Sequence, residues 1–232
     1  MVTDPLHTLY RDLLDRYGPQ GWWPLHGHAG SNPTKTGSVH GYHPGRYDLP
    51  DTEEGRFEVA VGAVLTQNTA WPNVETAIRN LADLHALSPK ALLELDQDTL
   101  RDAIRSSGYY NLKAKKLRHL ADFVAVRGGL DPPPERGELL SVWGVGPETA
   151  DGIRLYACHR PEMVVDAYTR RILAAHGFCG ESVSYDALKQ RCVQAIPVTV
   201  PDYQEFHALM VEHGKHIGKG GTGASQTLSR KV

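Results

Sequence analysis

Two short stretches of this chain hold residue types whose spacing could do chemistry. One is Gly144-Val145-Gly146-Pro147-Glu148-Thr149; the other, further on, is Val164-Val165-Asp166-Ala167-Tyr168-Thr169-Arg170. Glycine on both sides of Val145 lets the backbone turn through left-handed conformations and come close to a partner. Pro147 suits the first turn of a following helix, whose unpaired N–H groups and dipole favour an anion. Gly144, Val145, Gly146, Glu148 and Thr149 are therefore candidates for a phosphate clamp built mainly from backbone. A helix–helix turn closed by a glycine cap would use the same residues. Asp166 stands at the start of an Arg-bearing helix, where it can be a plain N-cap. The same position favours the charged form of a carboxylate, which could steady a developing cation or activate water.

The elements that must position these residues are helical. The chain has 232 residues, 41% hydrophobic and 22% charged, ordinary for a folded protein and wrong for a disordered one. No apolar run is long enough to span a bilayer and the N-terminus is not a secretory signal, so the expectation is a cytoplasmic protein with no membrane contact. Three widely spaced cysteines (Cys158, Cys179, Cys192) suggest free thiols rather than disulfides or a zinc site. The net charge of −2 excludes a protein held to nucleic acid by a broad basic face. Any such contact must come from local features.

Apolar spacing predicts a helix over the first 17 residues, stopped by Gly18-Pro19, and then a Gly-, Pro- and His-rich loop over 21–55. From Gly55 a succession of helices follows: a largely buried one ending near Thr66–Asn68, one capped by Asn73, one capped by Ser88, and one ending at Gly108. A longer helix carries Lys113, Lys115, Lys116 and Arg118, which read as a solvated face or as phosphate contacts. Helices flank Gly144-Val145-Gly146, three more follow Asp166, and a frayed tail closes the chain. No strand alternation is present, so the fold class is all-α. His26, His28, His40 and His43 match no metal-ligand spacing, and no metal is expected.

The order of hairpin, second helix and Val-Asp before an Arg-bearing helix resembles the helix-hairpin-helix, Gly/Pro, Asp glycosylases, a superfamily that includes endonuclease III. The resemblance runs over about residues 55–217. It includes VGAVLTQNTAWPNV over residues 61–74, similar to the helix end that carries a residue wedged into DNA, and SSGYYNLKAKKLRHLA over residues 106–121, similar to another stretch of that superfamily. It implies two helical lobes with a cleft between them: one over 55–160 with the hairpin, and one from 1–54 plus 161–232 with a base pocket. It also implies a monomer acting on double-stranded DNA that contains a damaged base. Asp166 would assist cleavage of the N-glycosidic bond, and Gln67, with Asn68 beside it, would fill the gap left by the extruded base.

Two departures from endonuclease III narrow that implication. Glu148 stands where that enzyme has a Schiff-base lysine, and a carboxylate cannot form an imine, so a monofunctional glycosylase is implied. The C-terminal segment lacks the four cysteines that hold an iron–sulfur cluster, so no cofactor is implied. The 3-methyladenine DNA glycosylase III type combines both losses and is similar in a further motif, Trp22-Trp23-Pro24. There the aromatic pair helps form a pocket for an alkylated purine, whose positive charge stacks well on an indole. A pocket lysine of that subfamily corresponds to Lys215, for which an ordinary solvated lysine is the alternative reading. The expectation is a glycosylase for alkylated purines. The alternatives are a glycosylase for uracil, mismatched thymine or an oxidised base, and a non-catalytic DNA-binding module.

Overall fold

The computed structural model describes residues 4–36, 38–180 and 182–217. The C-terminal tail expected from the sequence lies outside them. Among the described residues there are eleven α-helices and no strand, only an isolated antiparallel bridge between Ser31 and His40. Among the described residues no helix is long and apolar enough to cross a membrane.

The first lobe is organised around α2 (Glu53–Leu65). Thr52 caps it by accepting from Gly55 N, and every side chain from Phe57 to Leu65 is buried, because the helix is covered on all sides. Each large apolar side chain hidden this way contributes about 1.5–3 kcal/mol. Around α2 pack α3 (Trp71–Asp83), α6 (Tyr110–Arg127) and α8 (Pro147–Gly152). The short α4 (Pro89–Glu94) and α5 (Gln97–Ala103) pack on α6, and α7 (Arg136–Ser141) packs on α8. The second lobe joins α1 (Pro5–Tyr17), α9 (Ala167–Ala175) and α10 (Tyr185–Ala195) around α11 (Val200–Ile217), with α1 and α9 packed directly on it. Beyond α8 the chain widens into a π-type turn over Ile153–Ala157 that touches both α2 and α11. That turn is the joint beneath the cleft.

Two expectations are corrected. The helix expected to be capped by Asn73 begins at Trp71, and its cap residue Ala70 makes no side-chain bond. Pro72, already in the dihedral range of a first helical turn, moves the start forward. The basic cluster on α6 does not form one face. Lys113 is buried and its ammonium donates to Leu65 O (2.8 Å), Thr69 Oγ1 (2.8 Å) and Ser107 O (2.7 Å). Burial beside Lys116 lowers it to about 8. Arg118 donates to the carbonyls of Leu93 and Leu95 at the end of α4. Both residues cap orphaned carbonyls, a use of basic side chains that spacing does not reveal.

The loop over 18–52 is pinned, not open. Its own pairs include Asn32 N to Val39 O (2.9 Å) and Leu25 N to Gly41 O (3.0 Å). Four carboxylates hold it from the helices: Glu58 accepts from His26 N (2.6 Å), Glu75 from Ser38 Oγ, Glu205 from Gln20 N (2.8 Å) and Glu212 from Thr36 Oγ1 (2.9 Å). Glu58 and Glu75 belong to the first lobe and Glu205 and Glu212 to the second. The loop therefore spans both.

Candidate active site at the cleft

The two lobes enclose a cleft of about 1040 Å³. Its rim, its floor and its chemical centre come from different parts of the chain.

At the centre is Asp166. Its Oδ1 accepts from Thr169 N (2.7 Å) and Thr169 Oγ1 (2.8 Å), so the residue caps α9. Oδ2 has no hydrogen-bond partner among the described residues; His207 Nε2 stands 3.9 Å from it, too long for a hydrogen bond. Burial lowers the His207 imidazole against the pull of Asp166, and its Nδ1 lies 2.7 Å from Tyr156 Oη. A neutral ring held by a tyrosine thus stands behind a carboxylate with one oxygen free. Capping and chemistry use different oxygens of the same side chain.

Glu148 lines the same cleft on the first turn of α8. Solvent reaches it through the open mouth, yet protein surrounds it closely enough that burial, with the Asp166 charge second, raises its carboxyl to about 7. No described residue donates to it. A carboxyl raised in this way changes its protonation state near neutrality.

The rim is the hairpin. Gly144 has φ 91 and a side chain there would meet Lys116 Cγ at 2.3 Å, so the turn sits directly on the lysine stem. The loop after α2 faces it. Asn68 is exposed in the left-handed region with φ 55. Gln67 is half-buried, and its amide donates to Gly144 O (3.1 Å) and Thr149 Oγ1 (3.0 Å) while accepting from Lys116. The sequence suggests Gln67 as the gap-filling residue, but the structure turns it inward and leaves Asn68 outward. Tyr109 is a second outward residue, 73% exposed with φ 46. The Lys113 ammonium ties its neighbour Ser107 to the Asn68 loop through Thr69.

The floor is aromatic. Trp22 and Trp23 meet Trp71 edge-on, with centroids 4.8 Å and 5.3 Å away, and Tyr42 packs on Trp22 at 5.9 Å. Trp23 lies against Gly62 of α2, where a side chain would stand 3.0 Å from its Nε1. His43 Nε2 is 2.8 Å from the Trp23 carbonyl, which gives one histidine of the loop a positioning task. Pro24 does not reach the cleft. It faces a separate small cavity with Glu58 and Glu75. Lys215 does line the cleft, with Nζ 3.4 Å from Glu212 Oε2.

Among the expected residues, Asp166, Trp22, Trp23, Gln67, Asn68, Gly144, Val145, Gly146, Glu148, Thr149 and Lys215 share one cleft. Trp71, Tyr42, Tyr156, Tyr168, Tyr185 and His207 also line it and were missed. The pair Trp71-Pro72 at a helix start was the available signal for one of them. His207 sits mid-helix among buried residues, where a sequence offers no sign.

The thiols do not suit a cluster of the kind endonuclease III carries, which needs four thiolates together. Only three cysteines exist, on separate elements, and burial raises Cys158 to about 11 and Cys192 to about 12.

An all-helical chain in two lobes, with a glycine hairpin facing a carboxylate across a cleft, defines the class of helix-hairpin-helix DNA repair proteins. Comparison with known proteins gives the family. Residues 61–197 match the HhH-GPD superfamily base excision DNA repair protein family, and the chain belongs to it. A Methanocaldococcus jannaschii chain, named provisionally as a DNA repair glycosylase, is 40% identical over 90% of this chain and 87% of its own length. Endonuclease III of Thermotoga maritima is 26% identical over 75% of this chain and 80% of its own. Among solved structures, H. pylori 3-methyladenine DNA glycosylase bound to 1,N6-ethenoadenine aligns at a TM-score of 0.67 and 26% identity, covering 91% of this chain and 96% of that one. A non-covalent endonuclease III–DNA complex aligns at 0.73 and 20% identity, covering 95% and 89%, and shares the fold.

Proposed function

We propose that this base excision repair protein is a monofunctional DNA glycosylase for alkylated purines. The observation that carries the reading is the free Oδ2 of Asp166 in the same cleft as the indoles of Trp22, Trp23 and Trp71. The hairpin grips phosphate through backbone N–H groups, and the end of α2 that carries Gln67 and Asn68 enters the gap as the damaged nucleotide swings into the cleft. A methylated purine is electron-poor and cationic, so it stacks favourably on indole faces. As the C1′–N bond breaks, its electrons leave with the base and the sugar becomes oxocarbenium-like. Asp166 stabilises that charge, and water adds at C1′, giving free base and an abasic site. Glu148 occupies the place from which a lysine would attack, and a carboxylate cannot form an imine, so the reaction ends there without strand scission. The alignment with the H. pylori enzyme supports the substrate class.

The test is base release from methylated duplex DNA. The wild type is expected to liberate 3-methyladenine, and Asp166→Asn to do so at least about 100-fold more slowly while binding the duplex normally. Release of some other lesion base and no methylated purine overturns the substrate assignment. Strand scission that borohydride traps as a covalent adduct overturns the monofunctional one.

A further inference from the structure

His207 and Asp166 approach each other in the cleft wall without bonding. Imidazole Nε2 and carboxylate Oδ2 stand 3.9 Å apart, and each side chain is fixed by bonds made at its other end. Asp166 Oδ1 is held by Thr169 N (2.7 Å) and Thr169 Oγ1 (2.8 Å). On the far side of the ring, Nδ1 lies 2.7 Å from Tyr156 Oη, and that phenol donates its one proton to Gln204 O (3.2 Å). Tyr156 therefore accepts from Nδ1–H, and the ring keeps its lone pair at Nε2. Burial of His207 favours this neutral form. Two acceptors thus face each other across a span too long for a direct bond and suited to one bridging water. A water about 2.8 Å from both subtends roughly 90° between them, close to the angle between its own O–H bonds. Both residues line the cleft, so such a water would keep its oxygen lone pairs toward a sugar bound there.

We propose that His207 is the general base of the reaction: together with Asp166 it holds the attacking water, and its Nε2 takes the proton as that water adds to C1′. The electrons of the C1′–N bond have by then left with the base. A water lone pair forms the C1′–O bond, one O–H bond breaks, and its proton passes to Nε2. The imidazolium so formed lies beside the Asp166 carboxylate and donates through Nδ1 to Tyr156, and it returns the proton to solvent as the product leaves. Asp166 stays charged throughout and steadies the sugar cation, which it could not do if it also took the proton. The proposal rests on water as the nucleophile, as in the monofunctional reading above, and is independent of which lesion base is released. A ring that served packing alone would affect folding and leave the choice of nucleophile unchanged.

The experiment follows single-turnover base release in water–methanol mixtures and measures how much of the sugar product is methyl glycoside. Methanol has one O–H and cannot donate to both acceptors, so wild type is expected to discriminate against it. His207→Asn places an amide where Nδ1 was, keeps a bond to Tyr156 and lacks Nε2. It is expected to bind duplex as wild type does, to release base about 100-fold more slowly and to lose the discrimination against methanol. His207→Gln reaches toward the Nε2 position with an oxygen that holds the water but cannot keep its proton. It is expected to restore the discrimination and not the rate. A methyl glycoside fraction in His207→Asn equal to that of wild type overturns the proposal, as does a loss of duplex binding in step with activity. In ¹⁵N spectra of the free protein, Nδ1 of His207 is expected to carry the proton; the opposite tautomer overturns the proposal whatever the lesion. If wild type releases no methylated purine, the substrate assignment falls, and the same measurement on the lesion base it does release judges His207. A borohydride-trapped adduct removes the water nucleophile, and both readings fall together; release without an adduct and with an unchanged methanol fraction overturns this one alone.

Discussion

The rim and the floor of the cleft are built on opposite plans. The rim consists of backbone and neutral amides: the hairpin Gly144–Gly146, the Gln67 amide and the Thr149 hydroxyl, arranged by short sequence motifs on regular helices. The floor consists of the rings of Trp22, Trp23 and Tyr42, from a loop held by carboxylates of both lobes, and of Trp71 at the start of α3. In the proposed function the rim meets what all DNA has in common, the phosphate, and needs few charges to do so. The floor would meet what distinguishes a damaged base. The contrast also explains how a chain of net charge −2 can belong to a DNA repair family.

If the division holds, damage to the floor must fall on the lesion alone. Trp23→Ala removes a ring that packs on Trp71 and Tyr156. Base stacking on an aromatic is worth about 1–3 kcal/mol, so release of a methylated purine is expected to fall roughly 5–150-fold. Affinity for undamaged duplex is expected to stay the same, as anisotropy would record. An equal loss on undamaged duplex would abolish the distinction between floor and rim.

Damage to the rim must do the reverse. Gly144→Ala forces a side chain into a left-handed position and onto the Lys116 stem. Strain of this kind costs about 1–3 kcal/mol, part of which the flexible lysine can relieve by moving. Affinity is expected to drop about ten-fold on damaged and undamaged duplex alike, measured at one fixed salt concentration. A drop confined to damaged duplex would place lesion recognition at the hairpin.

The same contrast decides how much was legible in the sequence. The hairpin and Asp166 could be read because each lies in a run of a few residues with an intrinsic backbone preference: glycine for the turn, proline for the first helical turn, aspartate for a cap. The all-helical class followed from apolar spacing. Trp22 and Trp23 were found only through a resemblance, and Trp71, Tyr42 and Tyr156 not at all, because their shared wall forms by packing of segments far apart in the chain. The contacts of Gln67 and Lys113 were not legible for one physical reason. A polar side chain at a helix end or on a charged helix suggests exposure, but both were claimed by carbonyls that only the fold brings near.

Glu148 sits where rim and floor meet, and its expected effect is the smallest and the most sensitive to pH. Its carboxyl is raised to about 7 by burial and by Asp166, so it is protonated below that pH and charged above it. The protonated form can donate to the departing base, while the charged form adds a second negative charge beside Asp166. A cationic methylated purine leaves without a proton, and for it the pH dependence is expected to be slight. A neutral lesion such as 1,N6-ethenoadenine gains from the donor, and its release is expected to fall as pH rises through about 7, by roughly ten-fold per unit once the group is mostly ionised. Glu148→Gln cannot ionise and cannot deliver a proton to the base, so release of that lesion is expected to fall at pH 6 to about the wild-type rate at pH 8 and to stay flat between. If the variant keeps the wild-type slope, the titrating group is elsewhere and Glu148 belongs to the rim alone. If the slope disappears for the neutral lesion only, the acid is acting on the base, and Glu148 works with the floor although it is carried by the hairpin's second helix.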